Sequence, residues 1–147
     1  MENKNKIYIS KIFIIAPLLL VAFFVSQNIC LALSPLIINE VMIETNDESK
    51  KEFIELYNKS STDIDLSGYK LTKKASTGTE SNLISSSKFS GTILANGFFL
   101  ITHPDFKDIF SADLSYSGAS YSISENNTVI LYDKDNVILD KIGIGIA

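Results

Sequence analysis

The chain has 147 residues, of which 46% are hydrophobic, with 17 acidic residues, 13 lysines and no arginine. This length gives room for one domain. The acidic, arginine-free composition argues against nucleic-acid binding, which needs a concentrated basic face and most often reads bases with arginine.

The N-terminal segment has the pattern of an export signal. Three lysines within residues 1–11 precede an uncharged apolar run at 12–25, and small residues follow that run. This order is typical of a secretory signal peptide, so we predict that residues 1–32 are removed by a cut after Ala32. An uncleaved membrane anchor over residues 12–33 is the alternative, because that stretch approaches the ~20 apolar residues that span a bilayer.

Either arrangement exports the rest of the chain, since the leader lysines stay in the cytoplasm. We therefore predict a secreted or cell-envelope protein that touches the membrane only through residues 12–33, and only if the leader is retained. Residues 33–147 contain no cysteine, because the single Cys30 lies in the leader, so no disulfide can staple the domain. Taking three lysines and Glu2 from the totals leaves 10 basic and 16 acidic residues, a net charge of −6.

The first half of the exported chain alternates apolar runs with turn-forming residues. We predict strands at residues 36–43 and 52–58, and two short strands around a turn at Gly68 within residues 64–71. Residues 72–82 are polar and rich in turn formers, which predicts a loop.

The second half contains two predicted hairpins. The first places Asn96-Gly97 between apolar, β-rich arms, which is among the strongest short-range hairpin signals. The second joins strands at 128–133 and 137–147 through a short acidic turn. Between the hairpins the sequence predicts, in order, one helical turn or a loop at 103–110, a loop at 111–120 and a short strand at 121–124.

No stretch of the exported chain shows a sustained helical period of apolar residues. Short strands recur between turn signals instead, and this pattern is typical of an all-β sandwich or barrel. Neither an internal repeat nor a long linker divides the chain, which favours a single domain.

The stretch "EFIELYN" at residues 52–58 raises the question whether Glu52 and Glu55 form a catalytic carboxylate pair. On a helix, residues three apart are neighbours, whereas in a strand they point to opposite faces. The run is short and has no polar helical face, so we predict a strand that turns Ile54 and Leu56 toward the core and separates the two glutamates.

Glu40 and Glu55 become cross-strand neighbours if the first two strands pair. Like charges directly opposite each other are destabilising, unless a lysine or a bound cation lies between them. The simpler expectation is that both glutamates are solvated, close to Lys50 or Lys70.

The other chemical candidates are weak. His103 is the only histidine and lacks the partners of a general base or a zinc site, so we expect it at the surface. The "DKDN" turn at 133–136 lacks the glycine and glutamate of a calcium loop, which leaves only weak calcium binding open. Glycosylation tripeptides at Asn58 and Asn126 are expected to form turns. We therefore assign no catalytic, cofactor-binding or metal-binding residue and no cofactor.

Four motifs, in this order, resemble the lamin tail domain family: "LIINEVM", "KEFIELYNKSSTDIDLSGYKL", "GTILANGFFLI" and "ENNTVILYDKDNVILDKIG". The resemblance covers about residues 36–145. It implies an immunoglobulin-like antiparallel β-sandwich, as in nuclear lamins and many exported bacterial proteins, after a leader at 1–32. The family often has tryptophan where Phe53 and Tyr69 stand, and these aromatic side chains are expected to preserve the packing.

The resemblance implies a binding or structural module of the cell envelope without a catalytic centre. The expected partner is an envelope protein or a polysaccharide, reached through aromatic strand faces, sheet edges or the loops at 44–51, 73–82 and 103–120. Lamin contacts with chromatin are not expected, because the exported address and the missing basic patch contradict them. Two alternatives stay open: an accessory or targeting fragment of a larger exported hydrolase or nuclease, truncated at its C-terminus, and a small hydrolase that uses carboxylates.

Overall fold

The structure is a computed structural model that describes residues 34–43, 51–106 and 111–145. The predicted leader, and its alternative as a membrane anchor, lie outside the described residues. Within the three described ranges, no helix combines the length and the hydropathy that a membrane crossing requires.

The described residues form ten strands and one 3-10 helical turn, which confirms the all-β prediction. In chain order the strands are β1 (Leu36–Met42), β2 (Phe53–Asn58), β3 (Ile64–Asp65), β4 (Lys70–Ala75), β5 (Glu80–Ile84), β6 (Thr92–Ile93), β7 (Phe98–Thr102), β8 (Leu114–Ser115), β9 (Asn127–Tyr132) and β10 (Ile138–Gly143). The helical turn is Pro104–Phe106, where one helical turn or a loop is predicted.

Two four-stranded sheets make the sandwich. The front sheet has the order β1-β2-β7-β8, and the back sheet has the order β10-β9-β4-β5. Their strand pairs are antiparallel except β7 with β8. A small two-stranded sheet pairs β3 with β6. This arrangement agrees with the predicted immunoglobulin-like antiparallel sandwich.

Strand alternation sets the orientation of β2. Ile54, Leu56 and Asn58 are fully buried, whereas Phe53 and Tyr57 on the other face are half-buried. Period-two burial is the signature of a strand with one face on a core. The predicted inward direction of Ile54 and Leu56 is confirmed.

The core between the sheets consists of aliphatic side chains from both. The fully buried members include Leu36, Ile54, Leu56 and Ile101 from the front sheet and Leu71, Ile84, Val129 and Leu131 from the back sheet. Burying one such side chain contributes ~1.5–3 kcal/mol. Hydrophobic burial therefore stabilises a domain that has no disulfide among its described residues.

The predicted Asn96-Gly97 hairpin is wrong, because its two arms enter different sheets: β6 pairs with β3, and β7 pairs with β2. The turn itself exists, but it starts at Leu94, whose carbonyl oxygen accepts a hydrogen bond from the Gly97 N–H at 2.9 Å. A type I′ hairpin turn needs positive φ at both central residues. Of the central pair Ala95 and Asn96, only Asn96 has it, at 55°, so the chain continues into another sheet.

The loop predicted over residues 72–82 is wrong for most of its length. These residues complete β4 and begin β5, which form an antiparallel hairpin. Its turn is closed by a hydrogen bond from the Gly78 N–H to the Ala75 carbonyl oxygen at 2.8 Å. The strand ends here are exposed and polar, so they lack the apolar alternation that marks a strand in a sequence.

The segment between the two predicted hairpins also differs from expectation. No strand forms at 121–124, and a strand forms instead at Leu114–Ser115, inside the expected loop. Its partner is the distant β7, so pairing rather than local composition decides its position. The second predicted hairpin, β9 with β10, is confirmed.

Candidate functional site

Glu52 and Glu55 lie on opposite faces of the chain, as the strand prediction requires. Glu52 is only 3% exposed, and its Oε2 accepts a hydrogen bond from the Ile123 backbone N–H at 2.8 Å. Glu55 is half-buried on the outer face of the front sheet. The two glutamates therefore cannot act on one substrate.

Glu40 and Glu55 are directly opposite each other across β1 and β2. A β-bulge between Ile38 and Glu40 leaves Asn39 between the paired positions, and the Asn39 Nδ2 donates to the Glu55 Oε1 at 2.6 Å. A bulge places two residues opposite one and redirects the side chains. This neutral amide, rather than a lysine, is the group that contacts Glu55.

Neither lysine considered as a neighbour of these glutamates is seen beside them. Lys50 lies outside the described residues. Lys70 belongs to the back sheet, where its Nζ is 3.2 Å from the Asn136 Oδ1 and 4.1 Å from the centre of the Tyr132 ring. The expectation that Lys70 neighbours the glutamates is therefore wrong.

His103 is fully buried, so its predicted surface position is wrong. Its Nδ1 accepts a hydrogen bond from the Asp105 backbone N–H at 3.1 Å, and its Nε2 lies 3.1 Å from the Ala119 carbonyl oxygen. A ring with one accepting and one donating nitrogen is a neutral imidazole with its proton on Nε2. The Asp105 Oδ2, at 3.7 Å from Nδ1, is too distant for a hydrogen bond.

Glu52, His103 and Tyr116 form a buried polar cluster beside the front sheet. The backbone N–H of His103 donates to the backbone carbonyl oxygen of Glu52 at 2.9 Å. The His103 ring meets the Tyr116 ring edge-on, with centroids 5.9 Å apart. Burial raises the pKa of Tyr116, and the negative charge of Glu52 raises it further. The Tyr116 hydroxyl has no hydrogen-bond partner within the part of the chain that the structure describes.

This cluster lacks the access that catalysis requires. Its three side chains are each at most 4% exposed, so a substrate has no route to them in this conformation. The cluster instead attaches the segment around Ile123 to the start of β2. Sequence reasoning missed it, although strand alternation places Glu52 on the same inward face as Ile54.

The acidic turn at 133–136 is a hairpin turn, as predicted. The Asp133 Oδ1 accepts hydrogen bonds from the backbone N–H groups of Asp135 at 2.9 Å and Val137 at 2.8 Å. Asn136 takes a positive φ of 60°. Across the described ranges, no group of three or more acidic, histidine or cysteine side chains is placed to hold a metal ion.

The two glycosylation tripeptides have structural roles in turns. Asn58 is fully buried, and its Nδ2 donates to the carbonyl oxygens of Thr62 at 2.7 Å and Leu94 at 3.0 Å. A buried amide with these bonds cannot serve as a glycan acceptor in the folded state. Asn126 lies in the turn before β9 with a φ of 67°.

The loops predicted to form a binding surface are only partly loops. Residues 44–50 lie outside the described residues, and 73–82 is mainly the β4–β5 hairpin. The 103–120 segment contains the helical turn and β8, and its residues 107–110 are not described.

The outer face of the front sheet is the more distinctive surface, and we call it the front face. It is made of the side chains that alternate away from the core: Ile37, Glu40, Met42, Phe53, Glu55, Tyr57, Phe98 and Leu100. None of them belongs to the core cluster. The sequence predicts that the aromatic side chains at positions 53 and 69 preserve the packing of the family. This is confirmed for Tyr69, which packs against the core and meets Phe89 edge-on. It is not confirmed for Phe53, which lies on the front face.

The front face carries an aromatic pair across its two middle strands, β2 and β7. The rings of Tyr57 and Phe98 stack with centroids 4.7 Å apart, and Phe98 is 57% exposed. Such a surface can dock an apolar partner, whereas it contains no nucleophile and base in contact with each other. The sequence predicts aromatic strand faces as contact surfaces, but it does not single out the front face.

Comparison with known families agrees with the motif order and the sandwich. A family model described as Lamin Tail Domain matches residues 32–145. No match was found among curated proteins. The lamin tail domain is an immunoglobulin-like fold, compatible with a non-enzymatic module. Since the matched segment takes up most of the sequence, the chain belongs to the lamin tail domain family.

Proposed function

We propose that this chain is an exported, non-enzymatic module of the cell envelope that binds another protein through its front face. The leader pattern at residues 1–32 supports export. The family supports a structural or binding module rather than a catalyst. The alternative of an accessory part of a larger exported hydrolase or nuclease would use the same face against a companion domain.

The apolar character of the front face carries the proposal. An antiparallel sheet with one solvated side normally places polar residues there. Here the solvent side carries Phe53, Tyr57, Phe98 and Leu100, with Ile37 and Met42 from β1 beside them. Phe98 is exposed and the other apolar members are half-buried. Partly exposed apolar side chains grouped on one face mark interaction sites, and aromatic side chains are enriched in the centres of protein interfaces.

A protein partner fits this face better than a polysaccharide. Tyr57 and Phe98 stack on each other, so each ring covers part of the flat surface that a sugar ring would need. The remaining surface consists of Phe53, three aliphatic side chains and two carboxylates, Glu40 and Glu55. A partner with an apolar centre and basic residues at its rim complements it.

The proposal is tested by capture from the cell envelope. The chain is recovered from the envelope fraction of its own cells, and its mass is compared with that of residues 33–147 to locate the leader cut. The processed chain then captures envelope components, with Phe98→Ser against Val137→Ser as a matched control. Both side chains are 57% exposed, but Val137 lies in the β9–β10 turn away from the front face.

We expect Phe98→Ser to weaken capture of components other than the chain itself by at least tenfold, or ~1.4 kcal/mol. Val137→Ser should capture as the wild type does. Equal capture by the two variants would show that the front face is not the binding surface. If the captured material resists protease but is degraded by glycan hydrolases, the partner is a polysaccharide and not a protein. A chain found only in the cytoplasm would contradict export.

A further inference from the structure

We propose that one partner of the front face is a second copy of this chain, docked by the outer surface of its back sheet. We call that surface the back face. The inference rests on the proposed function, because it identifies the protein that the front face binds. It predicts head-to-tail association in the processed, exported chain.

Charge is segregated between the two faces. The back face carries Lys70 and Lys74 from β4 and Lys141 from β10, with Glu80 from β5 as an acidic member. The eight residues of the front face include Glu40 and Glu55 and no lysine, and the nearest lysines along β2 are Lys51 and Lys59, just beyond its two ends. Facing surfaces of opposite charge steer association and fix its register.

These charges form no ion pairs with one another among the described residues. Among residues 34–43, 51–106 and 111–145, no lysine nitrogen lies within 4.0 Å of a carboxylate oxygen, since the one close pair involves His103 and Asp105. Glu80 instead accepts hydrogen bonds from the Thr72 hydroxyl at 2.8 Å and the Tyr132 hydroxyl at 2.9 Å. The lysines of the back face are thus available to carboxylates of another molecule.

The back face exposes apolar surface at one end, because Ile130 nearer its centre is only 5% exposed. Ile138 is 50% exposed and lies beside Tyr132 across the β9–β10 pair. The Lys70 ammonium, 4.1 Å from the centre of the Tyr132 ring, is held in place by that ring. An apolar pair next to a fixed cation complements the Tyr57–Phe98 pair next to Glu55.

The size of the faces sets the strength and the form of the assembly. Four strands spaced ~4.8 Å apart, with about six residues rising ~3.3 Å each, give a face of roughly 15 by 20 Å. Such a contact buries roughly 600 Å² in total, below the ~1,200 Å² of stable specific interfaces, so the association is weak and transient. Because each copy has one face of each kind, the contact is heterologous and extends into open chains of molecules, which form at high local concentration.

Exchanging the charges tests the inference. The front swap, Glu40→Lys with Glu55→Lys, and the back swap, Lys74→Glu with Lys141→Glu, each leave one molecule with two faces of the same sign. An equimolar mixture of the two variants restores opposite signs at every contact. Control variants change the same kinds of charge at exposed positions that belong to neither face: Glu125→Lys and Lys88→Glu.

The measurement is the weight-average sedimentation coefficient as a function of concentration, on variants with an unchanged thermal midpoint. We expect it to rise with concentration for the wild type and both controls, to stay at the monomer value for each swap alone, and to rise again for the mixture. Added salt should reduce the rise for the wild type, because the charges are exposed.

A monomeric wild type at every concentration, swaps that assemble like the wild type, or a mixture that stays monomeric would each overturn the inference. These failures are separable from failure of the proposed function. If Phe98→Ser still loses envelope capture while the wild type remains monomeric, the front face binds a different protein and only the self-docking falls. If neither effect appears, both proposals fall.

Discussion

Asn58 shows how one polar side chain can organise several loops from inside the sandwich. Its Nδ2 donates to the carbonyl oxygens of Thr62, Ile93 and Leu94, and its Oδ1 accepts from the Ser60 N–H at 2.9 Å. Its own N–H donates to the Gly97 carbonyl oxygen at 3.0 Å. The side chain thus joins the end of β2 to the turn that follows β6.

Replacing Asn58 by alanine should be among the most destabilising single changes in the chain. The change removes the donor from the buried hydrogen bond to the Ile93 carbonyl oxygen and from two partly buried ones, and a buried group left unsatisfied costs ~1–3 kcal/mol. We expect a loss of ~2–4 kcal/mol in the free energy of unfolding, measured by denaturant titration. Asn82→Ala, at an exposed position of β5, is the control and should change stability by less than ~0.5 kcal/mol. Equal effects of the two variants would contradict the role of Asn58.

His103 and Glu52 mark the limit of residue-level prediction. The sequence contains no partner motif for His103, which predicts a surface position. The ring has one local contact, from the Asp105 N–H, but its contacts with Ala119 and Tyr116 come from 13 or more positions away along the chain. Long-range packing of this kind leaves no local pattern. The alternation of β2 gave Glu52 its inward direction, but not its partner Ile123.

At the scale of the element, β6 depends on a glycine for the close approach of its start to the Phe99 ring of β7. Gly91 precedes β6 with a φ of 118°, and a Cβ at this position would lie 2.7 Å from the Cε2 of Phe99. Its carbonyl oxygen accepts a hydrogen bond from the Leu66 N–H at 2.9 Å. The missing side chain lets the strand approach the Phe99 ring, which is 4% exposed.

Gly91→Ala should therefore destabilise the domain by two effects, an unfavourable φ and a collision with a core ring. Gly78→Ala is the matched control, because Gly78 has a φ of 92° but nothing within 4 Å of an added Cβ. We expect ~1 kcal/mol for Gly78→Ala from the backbone alone. Gly91→Ala should cost ~1–3 kcal/mol more, from overpacking. Thermal or denaturant unfolding of both variants decides this, and equal losses would exclude the packing effect.

The Asn96-Gly97 pair shows why a strong local signal predicted the wrong connection. The pair does form a turn, and the sequence identifies its position correctly. The four-residue turn, however, starts at Leu94, so its central residues are Ala95 and Asn96. A type I′ hairpin with Asn96-Gly97 at its centre would start one residue later. Asn58 and β3 provide partners for this segment, so contacts from elsewhere in the chain selected the frame.

At the scale of the whole molecule, buried tyrosine makes the fold sensitive to alkali. Burial, and then the charge of Glu52, raise the pKa of Tyr116 above its ordinary value, and burial raises the pKa of the more exposed Tyr69 in the same direction. The unfolded chain therefore loses its tyrosine protons first as the pH rises. The stabilisation that comes from the raised tyrosine pKa values is fully present below the pKa of about 10 that tyrosine has in the unfolded chain, and it declines above that pH.

Tyr116→Phe isolates the contribution of the buried phenol. Between about pH 10 and pH 11 the free energy of unfolding of the wild type should fall faster than that of the variant, by up to ~1.4 kcal/mol per pH unit. At neutral pH the variant should be no less stable, because the hydroxyl makes no hydrogen bond to any described residue. Denaturant titration at each pH measures both effects, and parallel pH profiles would contradict the assignment.

The two outer faces are also a property of the whole molecule. Their members come from β1, β2 and β7 on one side and from β4, β5, β9 and β10 on the other. The sequence reading recognised aromatic positions along single strands. Only the strand order places Tyr57 beside Phe98 and collects Lys70, Lys74 and Lys141 on the opposite side.

The sequence by itself determined the strand class, the period-two orientation of β2, the β9–β10 hairpin and the family. All four depend on local alternation, turn residues and motif order, which the chain carries in neighbouring positions. Tertiary structure decided which sheet each short strand joins, the burial of Glu52 and His103, and the placement of Glu40 and Glu55 on one face with Lys70, Lys74 and Lys141 on the other. These depend on contacts between distant residues, where pairing and packing outweigh local preference.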